Sequence, residues 1–143
     1  MLQVQDLMTR DVITLRPMEN LRRVEALLRR GRVRHLPVVD GGRLVGLVTH
    51  RDLLAALARG GGAATEPAVW AIDAMTRDVR TVRPETSLRE ALELMLKNKF
   101  GCLPVVDAAG SLVGIVTESD LVRFCGELVV GLDRRSEAAE YEC

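Results

Sequence analysis

Residues 46–53 read GLVTHRDL and residues 114–121 read GIVTESDL. Gly, Val, Thr, Asp and Leu are common to both copies, while His50-Arg51 becomes Glu118-Ser119. Thr and Asp stand three apart just behind a short apolar run. That spacing is a capping box: the hydroxyl accepts a free N–H of a helix's first turn, and the acidic residue reaches back. Helices are therefore predicted to start at Thr49 and Thr117, with Asp52 and Asp120 where the helix dipole favours negative charge. Capping is degenerate, since Ser or Asn serves at the first position and Glu or Gln at the fourth. Both copies nevertheless spell Thr and Asp. A short carboxylate beside a hydroxyl and open N–H groups also suits a ribose-phosphate, the carboxylate accepting sugar hydroxyls and the N–H groups holding an anion.

The phrase belongs to a longer repeat. DLMTRDVITLRP at 6–17 returns as DAMTRDVRTVRP at 73–84, and HLPVVD at 35–40 returns as CLPVVD at 102–107. The offset lengthens by one residue after Asp40 and Asp107, where DAAGS replaces DGGR. A unit of about 60 residues has been duplicated. One such unit buries little surface alone, so two are expected to pack together around shared apolar surface. The divisions are residues 1–58 for the first repeat, a Gly-rich linker at 59–68, residues 69–130 for the second repeat, and a charged, frayed tail at 131–143.

Within each repeat the periodicity changes in a fixed order. DVITL and DVRTV are β-branched runs ended by Pro17 and Pro84, predicting strands. Leu88, Ala91, Leu92 and Met95 form a helical stripe, as do Leu21, Val24, Leu27 and Leu28. Ser87 with Glu90 predicts a second capping box. L-P-V-V-D, a Gly-containing turn and L-V-G-h-V-T, where h is apolar, predict a hairpin. The capped helix closes the unit. The fold class is α/β: two tandem strand–helix–strand–strand–helix repeats packed as a pseudo-two-fold pair.

Composition narrows the functions. Of 143 residues 48% are hydrophobic and 3% aromatic, so the core is aliphatic. Twenty basic and twenty acidic residues cancel, giving no global pull toward nucleic acid or acidic lipid. No stretch reaches the roughly 18 apolar residues of a membrane span, and Gln3, Gln5 and Asp6 interrupt any N-terminal export segment. Cys102, Cys125 and Cys143 lack metal-ligand spacing and read as reduced thiols of a cytoplasmic protein. His35 and His50 are the only histidines, and no His–Asp relay serves Cys102, so no catalysis is expected.

The ordered motifs V-x-T-x-x-P, L-P-V-V-D and G-h-V-T-x-x-D-L, present twice across residues 1–130, resemble the CBS domain. Two in tandem resemble a Bateman module. The resemblance implies a regulatory or sensor module that binds adenosine-containing ligands (AMP, ADP, ATP, S-adenosylmethionine or NAD) in two clefts between the repeats, with no other cofactor. It implies that Asp holds the ribose and Thr contacts phosphate. One cleft would combine Thr117 and Asp120 with Ile13, Thr14, Arg34 and His35. The other would combine Thr49 and Asp52 with Arg80, Thr81, Gly101 and Cys102. Arg34 and His35 make the Asp120 cleft the tighter one on this reading, His35 gaining charge near pH ~6.5. Members also pair as flat homodimers, which the apolar residues of the last helices suit (Leu53, Leu54, Leu57; Leu121, Val122, Leu128, Val129). A regulated protein partner is implied, since no effector domain is present in this sequence.

Two alternatives stand beside this. One is a ligand-free structural dimerisation module. The other is nucleic-acid binding by the basic run Arg22, Arg23, Arg29, Arg30, Arg32 and Arg34. Against the second, the chain is neutral and nearly without aromatic stacking platforms.

Overall fold

Each L-P-V-V segment turns back on itself for reasons local to its turn. The computed structural model describes residues 1–29, 33–60 and 68–141. Strand β1 (His35–Asp40) pairs antiparallel with β2 (Arg43–Thr49), and β3 (Cys102–Val106) with β4 (Leu112–Thr117). Between β1 and β2, Gly41 and Gly42 take φ of +57° and +84°, the left-handed pair that a two-residue hairpin turn of type I′ requires. The second turn is one residue longer. Asp107 Oδ1 accepts the N–H groups of Ala109 and Ser111, each at 2.9 Å, and Gly110 takes φ +84°. The turns meet across the repeats: Leu44 N–H donates to Gly110 O at 3.2 Å, and Leu112 N–H to Gly42 O at 3.1 Å.

The strands expected at 11–15 and 78–82 contract to single parallel bridges, Leu15 on Val38 and Val82 on Val105. The cause is a crossing of the chain. Thr9 bridges Ile115 of the other repeat and Thr76 bridges Leu47, so only the far end of each run reaches its own hairpin. Leu15 and Val82 are buried there, whereas Ile13 and Thr14 are exposed.

The helices are α1 (Leu21–Arg29), α2 (His50–Gly60), a short α3 (Ala71–Ala74), α4 (Leu88–Asn98) and α5 (Glu118–Tyr141). Helix α4 buries Leu88, Ala91 and Met95 and half-buries Leu92. Ser87 caps it through Glu90 N–H at 3.2 Å. Leu21 and Val24 of α1 are buried, while the Leu27 and Leu28 side chains lie outside the described residues. Helix α2 continues through Arg59 and Gly60 into the stretch read as linker, of which 61–67 lie outside the described residues. The tail is also corrected: α5 runs 24 residues to Tyr141, about 36 Å at 1.5 Å per residue. From Arg134 to Glu140 the sequence is rich in Arg, Glu and Ala and has no Pro, so nothing in it stops a helix.

Two hydrophobic cores form, and neither is made by one repeat alone. The first joins Leu15, Leu21, Val24, Leu36, Val38, Val48 and Leu53 to Ala71 and Met75 of the second repeat. The second joins Val82, Ala91, Met95, Leu103, Val105 and Val116 to Val4 and Met8 of the first. Backbone bonds hold each exchanged segment: Val4 N–H to Thr86 O at 2.8 Å, Leu21 N–H to Val69 O at 2.7 Å. A 3₁₀ turn at Val4–Asp6 and helix α3 form where no apolar period runs through the chain.

The exchange explains the glycine of the repeated phrase. A Cβ on Gly46 would stand 2.3 Å from Met75 Sδ and 3.0 Å from Thr76 O; on Gly114, 2.7 Å from Met8 Sδ and 3.0 Å from Thr9 O. Leu53 is fully buried in the first core, so it is unavailable to the outer face proposed for pairing from sequence. Leu57 and Leu121 are half-buried against the cores, leaving Leu54, Val122, Leu128 and Val129 exposed.

Candidate functional site

The capping boxes form as the spacing predicts. Asp52 N–H donates to Thr49 Oγ1 at 3.2 Å, and Asp52 Oδ2 accepts Thr49 N–H at 2.9 Å. In the second repeat Thr117 N–H donates to Asp120 Oδ2 at 2.9 Å, and Asp120 N–H to Thr117 Oγ1 at 3.4 Å. The carboxylates are therefore held still at the starts of α2 and α5. Their surroundings differ. Asp120 is 3% exposed, and its Oδ1 accepts the Thr9 hydroxyl at 2.9 Å and pairs with Arg123 Nη2. Asp52 is half-buried, and among the described residues its Oδ1 has no partner.

Thr9 was not expected at the site. The chain runs from it through Ile13 and Thr14 to the bridge at Leu15, which brings the leading segment of the first repeat beside the start of α5. The Thr76–Leu47 bridge brings the leading segment of the second repeat to β2 of the first, where Thr81 lines a cavity with Leu44 and Val45. In both crossings the leading segment of one repeat meets the hairpin of the other.

His35 is shared more widely than expected. It faces Thr49 across its own hairpin, yet a Cβ on Gly101 would lie 2.9 Å from its Nε2. Burial pushes the His35 pKa below 6.5, Glu118 pulls it upward and Arg34 pushes it further down. Burial therefore favours the neutral imidazole and moves its gain of charge to lower pH than the sequence implies. Arg34 is exposed. Gly101 sits against His35, and its carbonyl accepts Glu118 N–H at 3.2 Å. Cys102 faces Thr117 in its own hairpin, and burial pushes its thiol up to about 12. It is a packing residue there, not a nucleophile.

Two cavities lie at the first-strand segments. One, of about 170 Å³, is lined by Leu44 and Val45 of the first repeat with Arg77, Val79, Thr81 and Val106 of the second. The other, of about 530 Å³, is bounded by Thr14–Met18 and by Val39–Gly42. Thr81 and Thr14 each line one, but neither cavity reaches Asp52 or Asp120.

The family model for the CBS domain matches this chain twice, at residues 4–59 and 70–127. The chain belongs to the CBS-domain family. Its fold is that of CBS-pair structures. The AcuB protein of Vibrio cholerae is 37% identical with a TM-score of 0.82, over 94% of this chain and 97% of that one. CBSX2 of Arabidopsis thaliana, solved in complex with AMP, is 33% identical with a TM-score of 0.77, over 90% and 98%. The CBS domain pair of protein MJ0100, in complex with 5′-methylthioadenosine and S-adenosyl-L-methionine, is 30% identical with a TM-score of 0.73, over 87% and 96%. Curated relatives are longer: the chain spans 46% of one and 23% of another.

Within this CBS pair, two site residues escaped the sequence reading. Thr9 lies in the repeated MTRDV, whose recurrence was legible but whose crossing was not. Arg123 has Ala55 as its counterpart, a difference between the repeats visible in the sequence. Of the basic run, residues 30–32 lie outside the described residues. No helix among the described residues is long and apolar enough to cross a membrane.

Proposed function

We propose that this CBS pair is a regulatory module that binds an adenosine-containing ligand (AMP, ADP, ATP or S-adenosylmethionine) between its repeats and carries out no catalysis. The observation that carries the proposal is Asp52. Its carboxylate is fixed by Thr49 N–H, while Oδ1, which has no partner among the described residues, can accept a sugar hydroxyl. Thr49, the start of α2 and Arg80 offer hydroxyl, N–H and guanidinium groups for phosphate. The complexes of CBSX2 with AMP and of MJ0100 with S-adenosyl-L-methionine support the ligand class. We place the tighter site at Asp52 rather than at Asp120, because Asp120 Oδ1 already holds Thr9 and Arg123 and burial favours the neutral form of His35.

The proposal extends to assembly. Leu54, Val122, Leu128 and Val129 stay exposed on α2 and α5, a surface suited to a homodimer of a cytoplasmic module acting on a protein partner. The test is thermal shift and calorimetry with AMP, ATP and S-adenosylmethionine. One ligand should raise the melting temperature specifically. Asp52→Asn should weaken its binding at least tenfold, about 1.4 kcal/mol, because an amide reproduces charge-assisted bonds to ribose poorly. Unchanged affinity in that variant overturns the assignment.

A further inference from the structure

The two Thr–Asp pairs are alike in sequence and unlike in occupancy. Asp120 Oδ2 accepts Thr117 N–H at 2.9 Å and the Thr117 hydroxyl at 3.2 Å. Its Oδ1 accepts the Thr9 hydroxyl at 2.9 Å and is ion-paired with Arg123 Nη2. An ionised carboxylate offers about four acceptor positions, and all four are filled. Among the described residues Asp52 uses one, on Thr49 N–H. At Oδ1 the difference has two sources. Arg123 is replaced by Ala55 in the first repeat, which cannot reach a carboxylate. Thr76, the counterpart of Thr9, bonds Leu47 through its backbone and leaves Asp52 alone among the described residues.

We infer that Arg123 is the specificity-determining residue that closes the Asp120 cleft to ribose, so that one chain binds one adenosyl ligand, at Asp52. This rests on the reading that Asp accepts the sugar hydroxyls. A hydroxyl arriving at Asp120 finds no free lone pair and must displace a guanidinium from a carboxylate that is 3% exposed. Charge-assisted bonds of this kind are among the stronger ones a protein makes. Arg123 itself is 64% exposed and reaches back three residues along its own helix. Removing it therefore opens the carboxylate without emptying a core.

Calorimetric titration of AMP into the full chain, Arg123→Ala, Asp52→Asn and the double variant tests this. The unmodified chain should take up one AMP. Arg123→Ala should gain a second site within tenfold of the first, and Arg123→Gln, which keeps the bulk without the charge, should do the same. Asp52→Asn should lose binding at least tenfold, and Arg123→Ala/Asp52→Asn should bind one AMP again. Two equal sites in the unmodified chain, or a single site persisting in both Arg123 variants, overturns the latch while leaving the ribose reading intact. Weaker total binding in Arg123→Ala makes Arg123 a ligand contact and also overturns it. Absence of AMP, ATP and S-adenosylmethionine binding in every variant overturns the ribose reading and the latch together.

Discussion

Replacing Gly46 by Ala probes the interlocking of the repeats through a change of sign. Gly46 is outside the left-handed region, so its backbone accepts Ala. Where space is free, such a change stabilises by about 0.4–1 kcal/mol by restricting the unfolded chain. Here the new methyl would meet Met75 Sδ at 2.3 Å, Met75 Cγ at 2.7 Å and Thr76 O at 3.0 Å. Met75 belongs to the first core and is 9% exposed, so it cannot swing away without vacating that core. Thr76 O is fixed by Leu47 N–H at 3.0 Å, and Thr76 N–H is fixed on Leu47 O at 2.9 Å. Overpacking of this kind costs about 1–3 kcal/mol. Set against the entropic gain, the net loss is roughly 1–2 kcal/mol, or about 3–6 °C in melting temperature for a chain of this size. Urea denaturation and calorimetry measure it. Gly126→Ala is the control: that glycine is inside α5 with nothing within 4 Å, so Ala there should stabilise by about 0.5–1 kcal/mol. A double-mutant cycle with Met75→Ala should show coupling of at least about 0.5 kcal/mol, since the truncated side chain no longer meets the methyl. A Gly46→Ala protein as stable as the parent, or strict additivity with Met75→Ala, refutes the reasoning.

Three further outcomes follow from the same geometry. Because burial lowers the His35 pKa, the folded chain favours the neutral ring; its contribution to stability is complete above pH ~6.5 and is lost as pH falls through the lower folded value. Melting temperatures of the parent should fall more steeply than those of His35→Gln between pH 7.5 and 5, and a shallower fall contradicts this. Asp120→Asn should cost more stability than Asp52→Asn, about 1–3 against at most about 1 kcal/mol, since its amide would turn donors toward donors; denaturant midpoints in the reverse order would count against it. Thiol labelling followed by mass spectrometry should modify exposed Cys125 in the native protein and buried Cys102 only after unfolding.

Much of this was legible because the repeat states it twice. Two hairpins, two capped helices and the stripe of α4 follow from turn glycines, Thr-x-x-Asp spacing and 3.6-residue periodicity. The extra residue in DAAGS appears as the longer turn held by Asp107. The exchange of leading segments was not legible, because DLMT and DAMT carry one core methionine each and no period. The length of α5 was hidden by its charge: a solvated helix and a frayed tail have the same composition. At the site, the capping pairs were readable as pairs. Their unequal occupancy depends on Thr9, 111 residues from Asp120 in sequence, which spacing cannot report.

The crossing also accounts for why the clefts and the cores are tied. Met8 fills the second core while its neighbour Thr9 holds Asp120; Met75 fills the first core while its neighbour Thr76 is bridged to Leu47 in β2. Each leading segment therefore has one residue in a core and the next on the strand or helix start that carries a Thr–Asp pair. Asp52 stands in the first turn of α2, directly after the strand whose Gly46 is in contact with Met75, so a ligand there would bind next to the first core rather than on a loop. A ligand at one hundred times its Kd stabilises the folded state by about 2.7 kcal/mol. That is comparable to the cost of the Gly46 clash, so a saturating ligand should restore much of the melting temperature that Gly46→Ala loses.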